Sequence, residues 1–264
     1  MADNLRQCAL QCLLITDPLE KVDQTQHLYQ RWLADELSLS DDVLSVPDEP
    51  GRPEKPELVE PKDLPRRRNT KESGNASLLH AITHIEFNAI NLGLDAVARF
   101  PGLPRQFYDD WLRVAFEESQ HFTLLRDHLL SLGFDYGDFP AHSGMWDMAK
   151  KTHHDSLIRM ALVPRVLEAR GLDVTPKMMN KLRGNGEHRA VEILNIILEE
   201  EIGHVKIGTH WFNYLCEQRG VDPLATFKDI LDNYFSGELR GPFNTEARKL
   251  ADFTDAEMAL LEGR

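Results

Sequence analysis

Apolar positions along this chain recur three and four residues apart, the period of a helix with one buried face. Over residues 3–15, Leu5, Cys8, Ala9, Cys12 and Leu13 form such a stripe. A second helical stretch runs to about residue 35, with Asp17-Pro18 at the junction. From residue 72 onward the pattern is almost unbroken. It predicts long helices over about 74–99, 105–132, 144–170 and 187–218, and a short one over about 223–234. Glycine and proline punctuate the predicted ends, in PGLP at 101–104, GFDYGDFP at 133–140, GLDVTP at 171–176 and the looser KLRGNG at 181–186. Period-two alternation of β-branched residues is missing, so the expected fold is all-α. Helices this long extend about 37 Å or more at ~1.5 Å per residue. They need a shared core, and a four-helix bundle is the economical solution.

Two stretches fall outside that core. Residues 46–68, VPDEPGRPEKPELVEPKDLPRRR, hold six prolines and can be neither regular helix nor central strand. Val46, Leu58, Val59 and Leu64 give this arm something to bury, which favours a strap over the domain rather than a free linker. From about Leu239 the chain contains GPFNTEAR and a short terminal helix, a second covering segment. The expected organisation is accessory helices and strap over 1–71, the helical bundle over 72–236 and the cover over 237–264.

Composition narrows the class. Of 264 residues, 42% are hydrophobic, enough for a core and too many for a disordered chain. The net charge of −13 opposes a dedicated nucleic-acid surface, which needs positive potential. The 3 cysteines make no disulfide framework, and Cys8 and Cys12, four apart, read as one buried helical face. The N-terminus lacks the form of a signal peptide, and no apolar run is long enough to cross a membrane. A cytoplasmic protein is the expectation.

The 11 histidines make the polar residues inside the apolar stripes worth locating. Glu86 shares a helical face with Leu79, Ile82, Thr83, Ala89, Ile90 and Gly93. A carboxylate there is costly to bury as an ion and calls for a metal, a cation or a proton. The second long helix carries Glu118 and His121, one turn apart. The third places Glu168 among Ala161, Val163, Pro164, Leu167 and Gly171, and the fourth repeats the pair as Glu201 and His204. Glu118 follows Glu86 by 32 residues and Glu201 follows Glu168 by 33, so one two-helix unit occurs twice. One Glu from each of two helices and Glu-x-x-His from each of the other two is the ligand set of ferritin-like dimetal bundles. Four carboxylates and two imidazoles, without thiolate, suit iron or manganese. The expected centre is Fe/Fe or Mn/Fe, with Glu86, Glu118 and His121 on one metal and Glu168, Glu201 and His204 on the other. Glu118 and Glu201 are the natural bridges.

Both motifs carry a second acid. Glu117 to His121 and Glu200 to His204 are spaced i,i+4 and also share a face. The i,i+3 pairs fit the dimetal pattern, which leaves Glu117 and Glu200 flanking the centre. His84 forms i,i+4 pairs with His80 and Asn88 and points away from Glu86; a structural hydrogen bond or support of the centre suits it better than ligation. Arg170 cannot share the face of Glu168 but could reach an acid on a neighbouring helix. His128 lies on the face of His121 at the helix end, and His153 and His154 read as surface residues. The Arg66-Arg67-Arg68 run could steer an anionic substrate or simply be solvated, the second being the plainer reading.

The segments GRPEKPELVEP, LPRRR, LLHAITHIEFNAINLGLDAVARF, FEESQHFTLL, VPRVLEARGLDVTP, EEIGHV and FNTEAR together resemble a bacterial family of unknown function with a ferritin-like fold. That family is related to the di-iron tRNA hydroxylases acting on modified adenosines, and more distantly to ferritins and rubrerythrins. The resemblance covers nearly the whole chain. It implies two metals on the six residues picked by spacing, and chemistry in which O₂ is activated to hydroxylate carbon.

Three functions follow as expectations. The first is an O₂-dependent di-iron oxygenase or oxidase acting on a small molecule or a modified nucleoside. No nucleotide-binding glycine motif or iron–sulfur motif is present, so the electrons would come from an external donor. The second is a ferroxidase or peroxide-scavenging protein. The third is a non-enzymatic interaction protein with a structural metal site. A monomer or small homo-oligomer is expected, with no membrane partner and no strong signal for nucleic acid.

Overall fold

The computed structural model describes residues 3–64, 71–235, 239 and 241–263. The Arg66-Arg67-Arg68 run lies outside them. Every regular element among the described residues is helical, as the periodicity requires; extended backbone pairs only in the isolated bridges Asn4–Ser38 and Leu58–Ala141. No described helix is long and apolar enough to cross a membrane. The chain divides into two compact units, Met1–Trp146 and Asp147–Arg264.

The first unit contains helices α1 (Leu5–Leu14), α2 (Pro18–Leu33), α3 (Lys71–Arg99) and α4 (Arg105–Ser131). Asn4 caps α1, and Asp17 caps α2 with Pro18 in its first turn, so Asp17-Pro18 opens the second helix. The α3–α4 pair forms the centre of the unit, with α1 against α3 and α2 against α4. A Cβ at Gly93 would stand 2.9 Å from Ala115 Cβ, so the small residue sets how closely α3 and α4 approach. Cys12 is buried on the inner face of α1, and burial pushes its thiol up to about 12. Arg6, also buried, donates to Val97 O (3.3 Å) and Ala98 O (2.7 Å), a cation on the last carbonyls of α3.

The proline-rich arm is a strap, held largely through its own backbone. Arg99 donates to Pro47 O at 2.9 Å and Trp146 Nε1 to Asp48 O at 2.8 Å. Gly51 N donates to Leu13 O at 2.9 Å, and a Cβ at Gly51 would fall 2.2 Å from Leu14 O. Farther along, Val59 N donates to Ala141 O and Ala141 N to Glu57 O, each at 2.9 Å. Beneath the strap lies Lys21, fully buried, which donates to Leu13 O (2.9 Å), Gly51 O (2.6 Å) and Asn91 Oδ1. Burial lowers its pKa to about 7.

Helix α5 (Gly144–Lys151) spans the division, and the second unit continues with α6 (Ser156–Leu162). Here the structure departs from the expected single helix over 144–170. Thr152–Asp155 interrupts it, and Asp155 caps α6 by accepting from Leu157 N. A π-helical segment, Val163–Glu168, then leads directly into α7 (Ala169–Gly184). Pro164 has no N–H to donate one turn back, and the wider winding ends with Ala169 N bonded to Pro164 O, five residues earlier.

The expected stop at GLDVTP is also missing, because α7 runs through Pro176. A proline inside a helix strips the carbonyl four residues earlier of its donor, here Leu172 O. Asn244 Nδ2, from the C-terminal segment, donates to that carbonyl at 3.1 Å. Helix α8 (His188–Arg219) packs along α6 and α7 and closes at Gly220, whose φ of 64° suits glycine. Then come α9 (Pro223–Tyr234), α10 (Thr245–Leu250) and α11 (Asp255–Glu262); α10 rests on α7 and α8, and α11 on α9.

Candidate metal centre

Each unit carries one of the two predicted ligand sets. In the first, Glu86 comes from the middle of α3, and Glu118 and His121 from successive turns of α4. The close α3–α4 approach at Gly93 and Ala115 brings the helices near enough for short side chains to meet. His121 Nδ1 lies 3.0 Å from Glu118 Oε2 and 3.3 Å from Glu86 Oε2. The three residues can each offer a ligand atom within 4.8 Å of the others, so this buried group could hold a metal ion. Burial, and then the neighbouring Glu118, push the Glu86 carboxyl well above the ordinary carboxylate range. Two negative charges are therefore disfavoured there by themselves. A cation bound there would offset them, and the oxygen–nitrogen donor set fits a hard or borderline metal.

In the second unit Glu168 stands at the end of the π segment, and α8 supplies Glu201 and His204. His204 Nδ1 is 3.9 Å from Glu201 Oε2. All six predicted ligands expose 8% or less of their surface. Burial separates the two acids of each motif. Glu118 and Glu201 are inside, whereas Glu117 and Glu200 are half-buried. The face expected for Glu168 is that of an ideal α-helix, and the π segment rewinds it. Leu167, expected on that face, is half-buried while Glu168 is inside.

The remaining candidates have other partners. His84 Nδ1 contacts Tyr136 Oη at 2.8 Å, and its Nε2 contacts Asn88 Nδ2 at 3.0 Å, a structural histidine of the strap side of α3. Arg170 is exposed and lies 3.7 Å from Asp173 of its own helix. His128 is buried with Ser131 Oγ 3.2 Å from its Nδ1, and His153 and His154 are exposed, as expected.

Sequence reasoning missed the buried cations. Arg165, in the π segment three residues before Glu168, pairs with Glu257 of α11 and lies over the rings of Phe212, Phe227 and Phe253. Arg248 pairs with Asp173 at 2.8 Å and donates to Ala169 O at 3.3 Å. The one local signal was Thr254-Asp255-Ala256-Glu257, a capping-box pattern that α11 does form.

An uncharacterized protein of Haemophilus influenzae is 54% identical over 213 residues, covering 78% of this chain and 74% of that relative. No solved structure matches. A family model described as "Protein of unknown function (DUF455)" matches residues 14–259, nearly the length over which the ligand sets, the strap and the C-terminal cover are laid out, and the chain belongs to that family.

Proposed function

We propose that this protein is a dimetal carboxylate oxidoreductase built on a ferritin-like four-helix bundle. One ion is held by Glu86, Glu118 and His121 and the other by Glu168, Glu201 and His204. The observation that carries this reading is the repetition of Glu with Glu-x-x-His, buried in each unit, at nearly equal sequence intervals. Two irons, or manganese with iron, supply redox chemistry with O₂ when bound. The chain's own part is to fix the donors, compensate charge and exclude water. Buried acids with half-buried acids beside them keep the ligand oxygens in low dielectric. The reaction is oxidation or hydroxylation of an organic substrate, with electrons from an external donor.

The test is anaerobic Fe(II) loading of the full chain, followed by metal analysis, Mössbauer spectroscopy and O₂ uptake. Two irons per chain with magnetic coupling between them are expected, and Glu86→Ala or Glu201→Ala lowers the stoichiometry. Failure to retain iron or manganese overturns the metal reading. Two uncoupled ions overturn the shared centre. Uptake of O₂ matched only by release of ferric mineral favours the ferroxidase.

A further inference from the structure

The first unit contains a cavity of about 370 Å³ lined by the strap and α3, whose lining includes none of the six predicted ligands. Its apolar lining comprises the aromatic side chains Phe87, Tyr136 and Trp146 and the strap prolines Pro50, Pro53 and Pro56. Flat side chains of this kind take up a flat ring system by stacking.

The polar groups have an assigned direction. Asn88 Nδ2 donates to the His84 main-chain oxygen at 2.8 Å, which fixes the amide with its NH₂ on the histidine side. The same Nδ2 stands 3.0 Å from His84 Nε2, so Nε2 accepts. The proton of the neutral ring is then on Nδ1, which donates to Tyr136 Oη at 2.8 Å. The Tyr136 hydroxyl thereby accepts a hydrogen bond from His84 and keeps its own O–H to donate. The buried His84–Asn88 pair thus orients a phenol donor at a ligand-sized space.

Charge selects the ligand further. Arg52 and Glu54 of the strap both line the cavity, and neither forms an ion pair with a described residue. Lys21 bonds to Asn91 Oδ1 and lies 5.0 Å from the centre of the Phe87 ring, and its three hydrogen-bond partners are all uncharged oxygens. The surroundings therefore favour one negative charge, and Glu54 opposes a second.

We propose that this cavity binds a planar aromatic monocarboxylate, its ring stacked against the lining prolines and aromatic side chains and its carboxylate held by Arg52 and the Tyr136 hydroxyl. Arg52 supplies the charge-assisted contact and Tyr136 the directional one. The dianionic head of a phosphate ester meets Glu54 and is disfavoured.

Calorimetric titration of the full chain with 2-naphthoate, its neutral amide 2-naphthamide, and 2-naphthyl phosphate tests the site. Saturable binding of the carboxylate is expected, at least tenfold tighter than the amide and tighter than the phosphate ester, with or without added iron. Arg52→Gln, an exposed substitution, lowers carboxylate affinity at least tenfold, removes the preference over the amide and leaves the melting temperature unchanged. Tyr136→Phe weakens the carboxylate while leaving the amide within a few-fold. Lack of saturable binding, equal affinity for the amide, tighter binding of the phosphate ester, or indifference to Arg52→Gln overturns the proposal. Because the metal is absent from one arm, this outcome is independent of the metal reading.

Discussion

Arg165 and Glu257, 92 residues apart, form a buried ion pair that ties α11 to the π segment ending in Glu168. Glu257 does two jobs. Its Oε1 takes the guanidinium, and its Oε2 accepts from Thr254 N at 2.8 Å while Glu257 N donates to Thr254 Oγ1 at 3.2 Å, which closes the capping box. Around the guanidinium stand three phenylalanine rings. Glu257→Ala leaves a buried charge without its partner, and a cost of about 3–5 kcal/mol is expected in urea denaturation. Arg165→Met combined with Glu257→Leu removes both charges and costs less than Glu257→Ala alone. A double variant as unstable as the two single changes added together would contradict this.

Pro164, one residue before Arg165, depends on the absence of a side chain across from it. A Cβ at Gly208 would fall 2.3 Å from Pro164 Cβ, a collision with a ring that cannot rotate away. Gly208→Ala is expected to destabilise by at least ~2 kcal/mol. In contrast, a Cβ at Gly171, inside α7, meets nothing within 4 Å. Gly171→Ala therefore gains about 0.5–1 kcal/mol of helix propensity. Thermal melts of the two variants should shift in opposite directions.

The bond from Asn244 to Leu172 O explains why α7 survives Pro176. Asn244 Oδ1 also caps α10 by accepting from Ala247 N at 3.2 Å. Asn244→Asp keeps an acceptor for the cap and loses the donor to Leu172, at an expected cost of about 1 kcal/mol or more. Pro176→Ala restores a backbone donor for that carbonyl. The cost of Asn244→Asp should then shrink in the Pro176→Ala background, as measured by a double-mutant cycle. An unchanged cost would separate the two residues.

His80 is fully buried, and its Nε2 accepts from Gly137 N at 2.9 Å. Burial lowers its pKa from 6.5 to about 4, against the opposing pull of Asp138 and Asp135. Between those values the unfolded chain binds a proton that the folded chain refuses. Stability from this residue is complete above about pH 6.5 and is lost as pH falls toward 4. His80→Gln keeps an acceptor for Gly137 and does not titrate. The fall in unfolding free energy between pH 7 and 4.5 should be about 2–3 kcal/mol smaller in the variant than in the parent chain.

The parts of the fold readable in advance were those decided locally. Helices α3, α4 and α8 end where Pro101–Pro104, Gly133 and Gly220 stop a long apolar stripe, and their limits matched the periodicity closely. The region around Glu168 was decided from a distance. Asn244 keeps α7 continuous through Pro176, and the π winding at Pro164 shifts the face on which Glu168 lies. Among the candidate ligands, Glu86 could be placed inside from its apolar neighbours. Spacing alone does not separate Glu117 from Glu118, because offsets of three and four both lie on one face; the dimetal pattern favours Glu118, and Glu118 is the acid that burial places inside. Lys21 and Arg165 gave no sequence signal, since their oxygen partners lie 8 to 92 residues away.

The strap is fastened by the carbonyls of Pro47, Asp48 and Glu57 and the amides of Gly51 and Val59, main-chain atoms that every residue type carries save the N–H that proline lacks. Its path is therefore nearly independent of which side chains it displays. Gly51 is the exception, the point where any larger residue would lift it from Leu14. Between these fixings the exposed Arg52 and Glu54 can be exchanged without disturbing the helices beneath, so the charge at the cavity can change while the scaffold stays the same.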